Sequence, residues 1–242
     1  MSKLIIINHK TIEKMKKVIT VLLFMILGMG SMSAQLLGGQ YIPHRLDDYD
    51  LYYGFRIGYN ASTIRFSTDA ISNEGLSGMN LGFIAGFPLG NSSAIFEPGI
   101  FYTVKGGKLK DKSVKSEVRM HEFEIPIVIK YDLTLPTMTD MSVQPFFGGF
   151  FGFGLGGELK YDNMGDRHKL KTFSDRYKRF DAGLRMGCGL NIEFFYVELA
   201  YDLGLANLGN DSKAFTDVYP SYSDWDDHAR TSNFSINFGV NF

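Results

Sequence analysis

The last twelve residues, 231–242 (TSNFSINFGVNF), alternate between polar and apolar side chains without a break. Phe234, Ile236, Phe238, Val240 and Phe242 therefore share one side of an extended strand, because successive side chains of a strand point to opposite faces. The run is long enough to cross a bilayer, since a tilted strand needs about 9–11 residues to do so. An aromatic residue at the end is typical of the closing strand of a membrane barrel.

The amino-terminal region predicts export. Lys16 and Lys17 precede the apolar run 18–29, and small residues follow it at Ser31, Ser33 and Ala34. This is the pattern of a signal peptide, residues 1–34, cleaved before Gln35. Met15 is an alternative start of translation. A retained anchor is the other interpretation, but the apolar run is shorter than the roughly 20 residues that a spanning helix needs.

Composition limits what the mature chain can be. About two hundred residues remain after cleavage, enough for one domain. We expect a periplasmic segment at 35–51 and a barrel at 52–242. Apolar residues make up 45% of the chain, yet apart from the leader they form no run of helix-spanning length, which excludes a helical membrane protein. A net charge of −1 argues against a nucleic-acid partner. The single cysteine, Cys188, excludes an intramolecular disulfide.

Eight segments have the length and alternation of strands. They are 52–62, 78–89, 94–105, 118–133, 143–155, 179–190, 194–203 and 231–242. The connections between them alternate between long and short, as in barrels with short periplasmic turns and long extracellular loops. The sequence therefore predicts an all-β fold, an eight-stranded antiparallel up-and-down transmembrane β-barrel in the cell outer membrane, with both ends periplasmic.

The polarity of the strand faces favours a membrane barrel over a soluble lipocalin-like barrel. On the sixth strand Asp181 and Arg185 share a face with glycines 183, 187 and 189, and the opposite face is apolar. A soluble barrel keeps its interior apolar, whereas a membrane barrel places apolar side chains outside and tolerates charge within. The charged face is therefore predicted to be the interior.

Several stretches resemble the PorT-like outer-membrane β-barrel family. They are EPGIFYTVKGGK (97–108), FEIPIVIKY (123–131), PFFGG (145–149), FDAGL (180–184) and VELAY (197–201). The resemblance covers nearly the whole mature chain. It implies an eight-stranded outer-membrane barrel and, for many members, no known molecular activity. One member is linked to the type IX secretion system, but these motifs do not say that this chain shares that role.

Motifs that suggest chemistry have simpler explanations. Residues 152–157 (GFGLGG) match the G-x-G-x-x-G pattern, but no helical periodicity follows to receive a dinucleotide. The acidic run 224–228 lacks the spacing of an EF-hand loop. The histidines are not at ligand spacing, and no serine lies in a G-x-S-x-G elbow. We therefore predict no catalytic, cofactor-binding or metal-binding residues.

Charged residues occupy the alternate strand positions that are predicted to face inward. They predict a structural cluster in the lumen: Arg56, Glu97, Glu122, Glu124, Lys130, Asp181, Arg185 and Glu198. Side chains fill an eight-stranded barrel, and buried charges need partners of opposite sign. We expect Arg185 to pair first with Glu198. A conducting path lined by the same residues is the alternative.

One connection is basic and another is acidic. Five lysines of the basic connection are predicted to contact lipopolysaccharide phosphates: Lys105, Lys108, Lys110, Lys112 and Lys115. An ordinary solvated hairpin tip is the alternative. These observations predict a monomeric, noncatalytic protein with a structural, surface-binding or secretion-accessory role, whose partners are outer-membrane lipid, lipopolysaccharide and an unknown protein. A small channel and a membrane-embedded enzyme with a loop-assembled site remain open.

Overall fold

A computed structural model of the chain describes residues 51–66, 72–89, 92–110, 114–135, 138–163, 166–173, 177–209 and 229–242. All of them belong to one compact unit, residues 43–242. The predicted signal peptide, and the predicted periplasmic segment apart from residue 51, lie outside the described residues.

The described residues form strands and no helix. The ten strands are β1 (Tyr52–Phe66), β2 (Ser72–Pro88), β3 (Ala94–Lys110), β4 (Val114–Tyr131), β5 (Leu133–Leu135), β6 (Met138–Asn163), β7 (Asp166–Lys171), β8 (Phe180–Ile192), β9 (Phe195–Gly204) and β10 (Ala229–Asn241). No described helix is long and apolar enough to cross a membrane.

Eight of these strands form a closed ring. Its order is β4-β3-β2-β1-β10-β9-β8-β6, and the ring closes where β6 pairs with β4. Every neighbouring pair is antiparallel. The two remaining strands are short: β5 pairs with the start of β6 and β7 with its end. The predicted eight-stranded antiparallel barrel is confirmed.

Several strands extend beyond their predicted bounds on the side of the long connections. The predicted connections 64–77, 106–117 and 156–178 were too long, because large parts of them pair as strand. These extensions carry charged residues, which conceal a strand signal based on apolar alternation. Some of these charges face partners of opposite sign, as Lys108 does between Glu74 and Glu117 in the cross-strand register.

The two faces of the barrel differ as predicted. On β4 the alternate residues Phe123, Ile125, Ile127, Ile129 and Tyr131 are exposed, whereas the residues between them point inward. This is the reverse of a lipocalin-like barrel, whose exterior must be wet. The apolar exterior is the surface that contacts lipid.

Glycines on the inward face make room for large side chains. A Cβ atom at Gly187 would lie 2.5 Å from Phe146 Cζ and 2.1 Å from the carbonyl oxygen of Leu199. A Cβ atom at Gly189 would meet the Tyr196 ring, its Cζ atom at 2.3 Å. The glycines of β8 thus allow aromatic rings from both neighbouring strands to cross the lumen.

Candidate functional site: the charged lumen and the outer rim

All eight residues of the predicted lumen cluster have buried side chains. Lys105, Asp132 and Asp202 are buried beside them. The parity of Asp132 and Asp202 could have assigned them to the cluster. Lys105 was assigned to a loop instead, because it begins a run of lysines. Among the described residues, four cations thus share the lumen with seven carboxyl groups, namely Arg56, Lys105, Lys130 and Arg185 with Glu97, Glu122, Glu124, Asp132, Asp181, Glu198 and Asp202.

Arg185 is the centre of one network. Its Nη1 atom lies 2.9 Å from Asp202 Oδ1 and 3.3 Å from Glu124 Oε1, and its Nη2 atom lies 3.0 Å from Glu198 Oε1. Lys105 pairs with the other oxygen of Glu124. The guanidinium and ammonium groups therefore neutralise carboxylates from β4 and β9, which a buried charge requires.

Lys130 is the centre of a second network. Its Nζ atom lies 2.8 Å from Glu97 Oε1 and 3.6 Å from Glu198 Oε2, and it donates to the Tyr196 hydroxyl. Tyr52 donates a 2.6 Å hydrogen bond to the second oxygen of Glu97. Since Glu198 also binds Arg185, it joins the two networks into one.

Two carboxyl groups lie beside these networks without a cation at ion-pair distance among the described residues. Asp181 accepts a 2.7 Å hydrogen bond from Thr231 through Oδ2. Its Oδ1 atom and the Oε2 atom of Glu122 have no hydrogen-bond partner among the described residues. Both groups are buried, so this part of the lumen holds carboxyl groups that no direct ion pair among the described residues neutralises.

An apolar cluster occupies the end of the lumen next to the long connections. Its members are Ile64, Val118, Met120, Leu159, Phe173, Tyr177, Leu208 and Ala229. Three of them, Phe173, Tyr177 and Leu208, come from the connections rather than the barrel strands. Backbone hydrogen bonds of 2.8 Å from Lys178 to Leu208 and from Leu208 to Ala229 hold the connections in place.

The sequence matches the family described as Outer membrane protein beta-barrel domain over residues 40–210. The chain belongs to this outer-membrane β-barrel family. Its location is therefore the cell outer membrane. No curated protein matches the chain.

Solved structures of outer-membrane barrels are similar to this one. Ail, the attachment invasion locus protein of Yersinia pestis, is 13% identical, with 79% of this chain and 98% of that chain covered and a TM-score of 0.38. Neisserial surface protein A is 13% identical, with 78% and 97% covered and a TM-score of 0.42. OprG from Pseudomonas aeruginosa is 12% identical, with 79% and 95% covered and a TM-score of 0.39.

The prediction that Lys105 contacts lipopolysaccharide is wrong for this outer-membrane barrel. Its side chain is fully buried, pairs with Glu124 and lies 4.5 Å from the centre of the Phe150 ring. The inward alternation of β3, which includes Glu97 and Thr103, continues to Lys105. The lysine run therefore conceals an inward-facing residue of β3.

Three other lysines of that prediction, Lys108, Lys110 and Lys115, lie in β3 or β4. Lys108 is exposed. Lys110 ends β3 and Lys115 lies in β4, but their side chains are outside the described set, as is the whole of Lys112. Among the described side chains of the predicted group, Lys108 is thus exposed and Lys105 is buried.

Motifs with a chemical appearance are part of the barrel wall or fall outside the described residues. Gly152, Gly154 and Gly157 lie within β6, which pairs with β4, and no helix follows them in the described chain. The acidic run 224–228 is outside the described residues. In the part of the chain that is described, no three His, Cys, Asp or Glu side chains are grouped to hold a metal ion.

Proposed function

We propose that this outer-membrane barrel is a noncatalytic, monomeric protein that acts through its outward-facing connections. Its role is structural, surface-binding or secretion-accessory, and it belongs to the PorT-like group of outer-membrane barrels. Its signal peptide is removed before Gln35. Lipopolysaccharide and a protein of the cell envelope are its partners.

The observation that carries this proposal is the filled lumen. The cations Arg185, Lys130 and Lys105 are each engaged by carboxylates within the barrel. Catalysis requires a nucleophile, a base and an orienting group that converge on an accessible point. These side chains are buried and bound to one another, which supports a structural role for the lumen and leaves the connections as the functional surface.

Conductance separates this proposal from the channel alternative. The apolar cluster at the outer end supports a closed lumen, because a continuous water column cannot pass packed apolar side chains. In planar bilayers we expect no steps of conductance from the purified protein. Stable single-channel steps, abolished by Arg185→Met, would favour the channel.

Lysines of the β3–β4 hairpin are proposed to contact lipopolysaccharide at its phosphates. Lys108 is exposed, and Lys110, Lys112 and Lys115 follow it in the sequence. Clustered lysines near a membrane surface attract anionic head groups. Glu74 and Glu117, the neighbours of Lys108 in the sheet, reduce this attraction locally. The hairpin tip therefore contributes most of it.

The partner is tested by copurification from native outer membranes in mild detergent after brief cross-linking. The expected result is one envelope protein recovered with the wild type and lost when residues 212–227 of the long β9–β10 connection are replaced by a short Gly-Ser linker. A matched replacement of the short periplasmic turn between β2 and β3 is the control. Recovery of no partner, or equal recovery with both variants, would contradict a surface-binding role.

A further inference from the structure

Two arginines face each other on the outside of the barrel, where β1 meets β10. Arg65 and Arg230 are direct cross-strand partners, and both are exposed. Like charges directly opposite each other destabilise a sheet. The exposed ion pairs of the described surface, Arg119–Glu117 and Lys160–Glu158, lie elsewhere, and no described ion pair includes Arg65 or Arg230. The pair thus lacks a protein counter-charge among the described residues.

Backbone carbonyl groups fix the position of Arg65. Its Nη2 atom donates to the carbonyl oxygen of Gly204 at 3.2 Å and to that of Thr231 at 3.4 Å. The side chain therefore extends across β10 towards the end of β9, over the strand that carries Arg230. A guanidinium group has five N–H donors, so donors remain for an external acceptor while the group is held in place.

Apolar residues lie beside and below the two arginines. Leu205, the residue after Gly204, is half exposed. Phe234, four residues from Arg230 on β10, is exposed and pairs with Tyr201 of β9. Four residues span about 13 Å along a strand, or about 10 Å across the membrane at a tilt of roughly 40°. The arginines therefore lie at the level of the lipid head groups, above an apolar surface.

We propose that Arg65 and Arg230 form a binding site for the phosphate groups of lipopolysaccharide in the outer leaflet, with Leu205 against an acyl chain. A phosphate between the two guanidinium groups removes their repulsion and accepts the forked hydrogen bonds that arginine offers. Carboxylate-bearing partners fit less well, because the apolar residue beside the pair matches an acyl chain. The site deepens the proposed lipopolysaccharide contact and depends on the same outward orientation.

The experiment uses the protein purified from outer membranes in mild detergent. Native mass spectrometry measures binding of three probes: phosphorylated lipid A, the same lipid A after dephosphorylation, and inorganic phosphate. The variants are Arg65→Gln, Arg230→Gln and the double variant. Arg119→Gln is the matched control, since that arginine is exposed but already paired with Glu117. Heat-modifiable migration on gels confirms that each variant is folded.

Wild type should bind phosphorylated lipid A, and the double variant should bind it at least about tenfold more weakly, as expected for a lost charge-assisted hydrogen bond. Arg119→Gln should change the affinity by less than about twofold, as befits an exposed pair. Lipid A should raise the thermal midpoint of the wild type but not of the double variant. If the double variant does not fold, Arg65→Lys and Arg230→Lys keep the charge and should each weaken binding, because lysine lacks the fork.

Several results would overturn the inference. Equal binding by wild type and double variant would do so, as would equal losses in the double variant and Arg119→Gln. Binding of dephosphorylated lipid A at full strength excludes a phosphate site, and inorganic phosphate that binds as tightly as phosphorylated lipid A excludes a contribution from the acyl chain. Loss in Lys108→Gln with no loss in the double variant moves the contact to the hairpin and leaves the proposed function intact. Failure of the copurification experiment alone contradicts the proposed function and not this site.

Discussion

At the scale of single residues, the position of a residue in the alternation of its strand decides whether its charge is buried in the lumen or exposed. Arg185 has inward parity and holds three carboxylates of β4 and β9. Because arginine stays protonated, it cannot escape burial by losing its charge. Its removal leaves carboxylates of one sign close together.

Arg185→Met should lower the free energy of unfolding by about 3–5 kcal/mol, as for a buried pair that loses one partner. Urea-induced unfolding in lipid vesicles measures the change. Arg119→Met is the control, and because its pair is exposed we expect a loss of about 1 kcal/mol or less. Similar losses in both variants would show that the Arg185 network is not buried in solution.

Gly187→Ala should also destabilise the barrel, by about 1–3 kcal/mol, because an added methyl group overfills a packed site. The new Cβ atom would contact the backbone oxygen of Leu199, which cannot move without shifting β9. Gly156→Ala is the matched control, since nothing lies within 4 Å of its Cβ position. Urea midpoints measure the stability of both variants. Equal stability of the two would contradict this packing.

Parity alone predicted much of the charged lumen, and its failures have physical causes. The side of Arg185, Glu198 and Lys130 follows from alternation within each strand. Lys105 ends the predicted strand 94–105, but it was misassigned to the basic connection because a run of lysines follows it. The union of two networks at Glu198 was not predicted, because it depends on contacts across the lumen between strands that are not neighbours.

At the scale of elements, apolar alternation marks the part of a strand that contacts lipid. All eight barrel strands could therefore be predicted from the sequence. The outer ends of the strands could not be predicted, because they lack apolar alternation along the chain. Their charges match across neighbouring strands instead, as Lys108 does between Glu74 and Glu117. The short strands β5 and β7 were not predicted either. Each pairs with β6, and this pairing cannot be seen in the sequence of such a short segment.

The depth of the lipid-facing band gives a prediction for β4 and for β5, which follows it directly. Ile127→Arg, near the middle of the band, should lower the stability by about 2–4 kcal/mol, whereas Leu133→Arg, near the periplasmic interface, should cost about 1 kcal/mol or less. Folding yields in vesicles and urea midpoints measure both. A larger loss at position 133 would place the centre of the membrane elsewhere on the strand.

At the scale of the whole molecule, the arrangement of connections fixes the orientation. The turns next to Ser92 and Glu193 are short, whereas at the other end the strands continue into extended hairpins and the long β9–β10 connection runs from residue 205 to 228. In barrels of this class the short turns are periplasmic. The hairpin β6–β7 is therefore expected outside the cell.

Cysteine labelling of intact cells tests this orientation. In a Cys188→Ala background, Lys169→Cys should react with a membrane-impermeant maleimide, because Lys169 is exposed on β7. Ser92→Cys, also exposed, is the control and should react only after the outer membrane is permeabilised. Reaction at Ser92→Cys alone in intact cells would reverse the orientation.

The pairing of β1 with β10 also has a consequence for the order of events during biogenesis. The first and last described strands are neighbours, so β1 keeps one unpaired edge until β10 has been synthesised and exported. Lipid supplies no substitute for those backbone hydrogen bonds, and strand edges in water promote aggregation. A chain that inserted as it emerged would be arrested with an open seam. We therefore expect the polypeptide to remain unfolded in the periplasm until all of its strands are present.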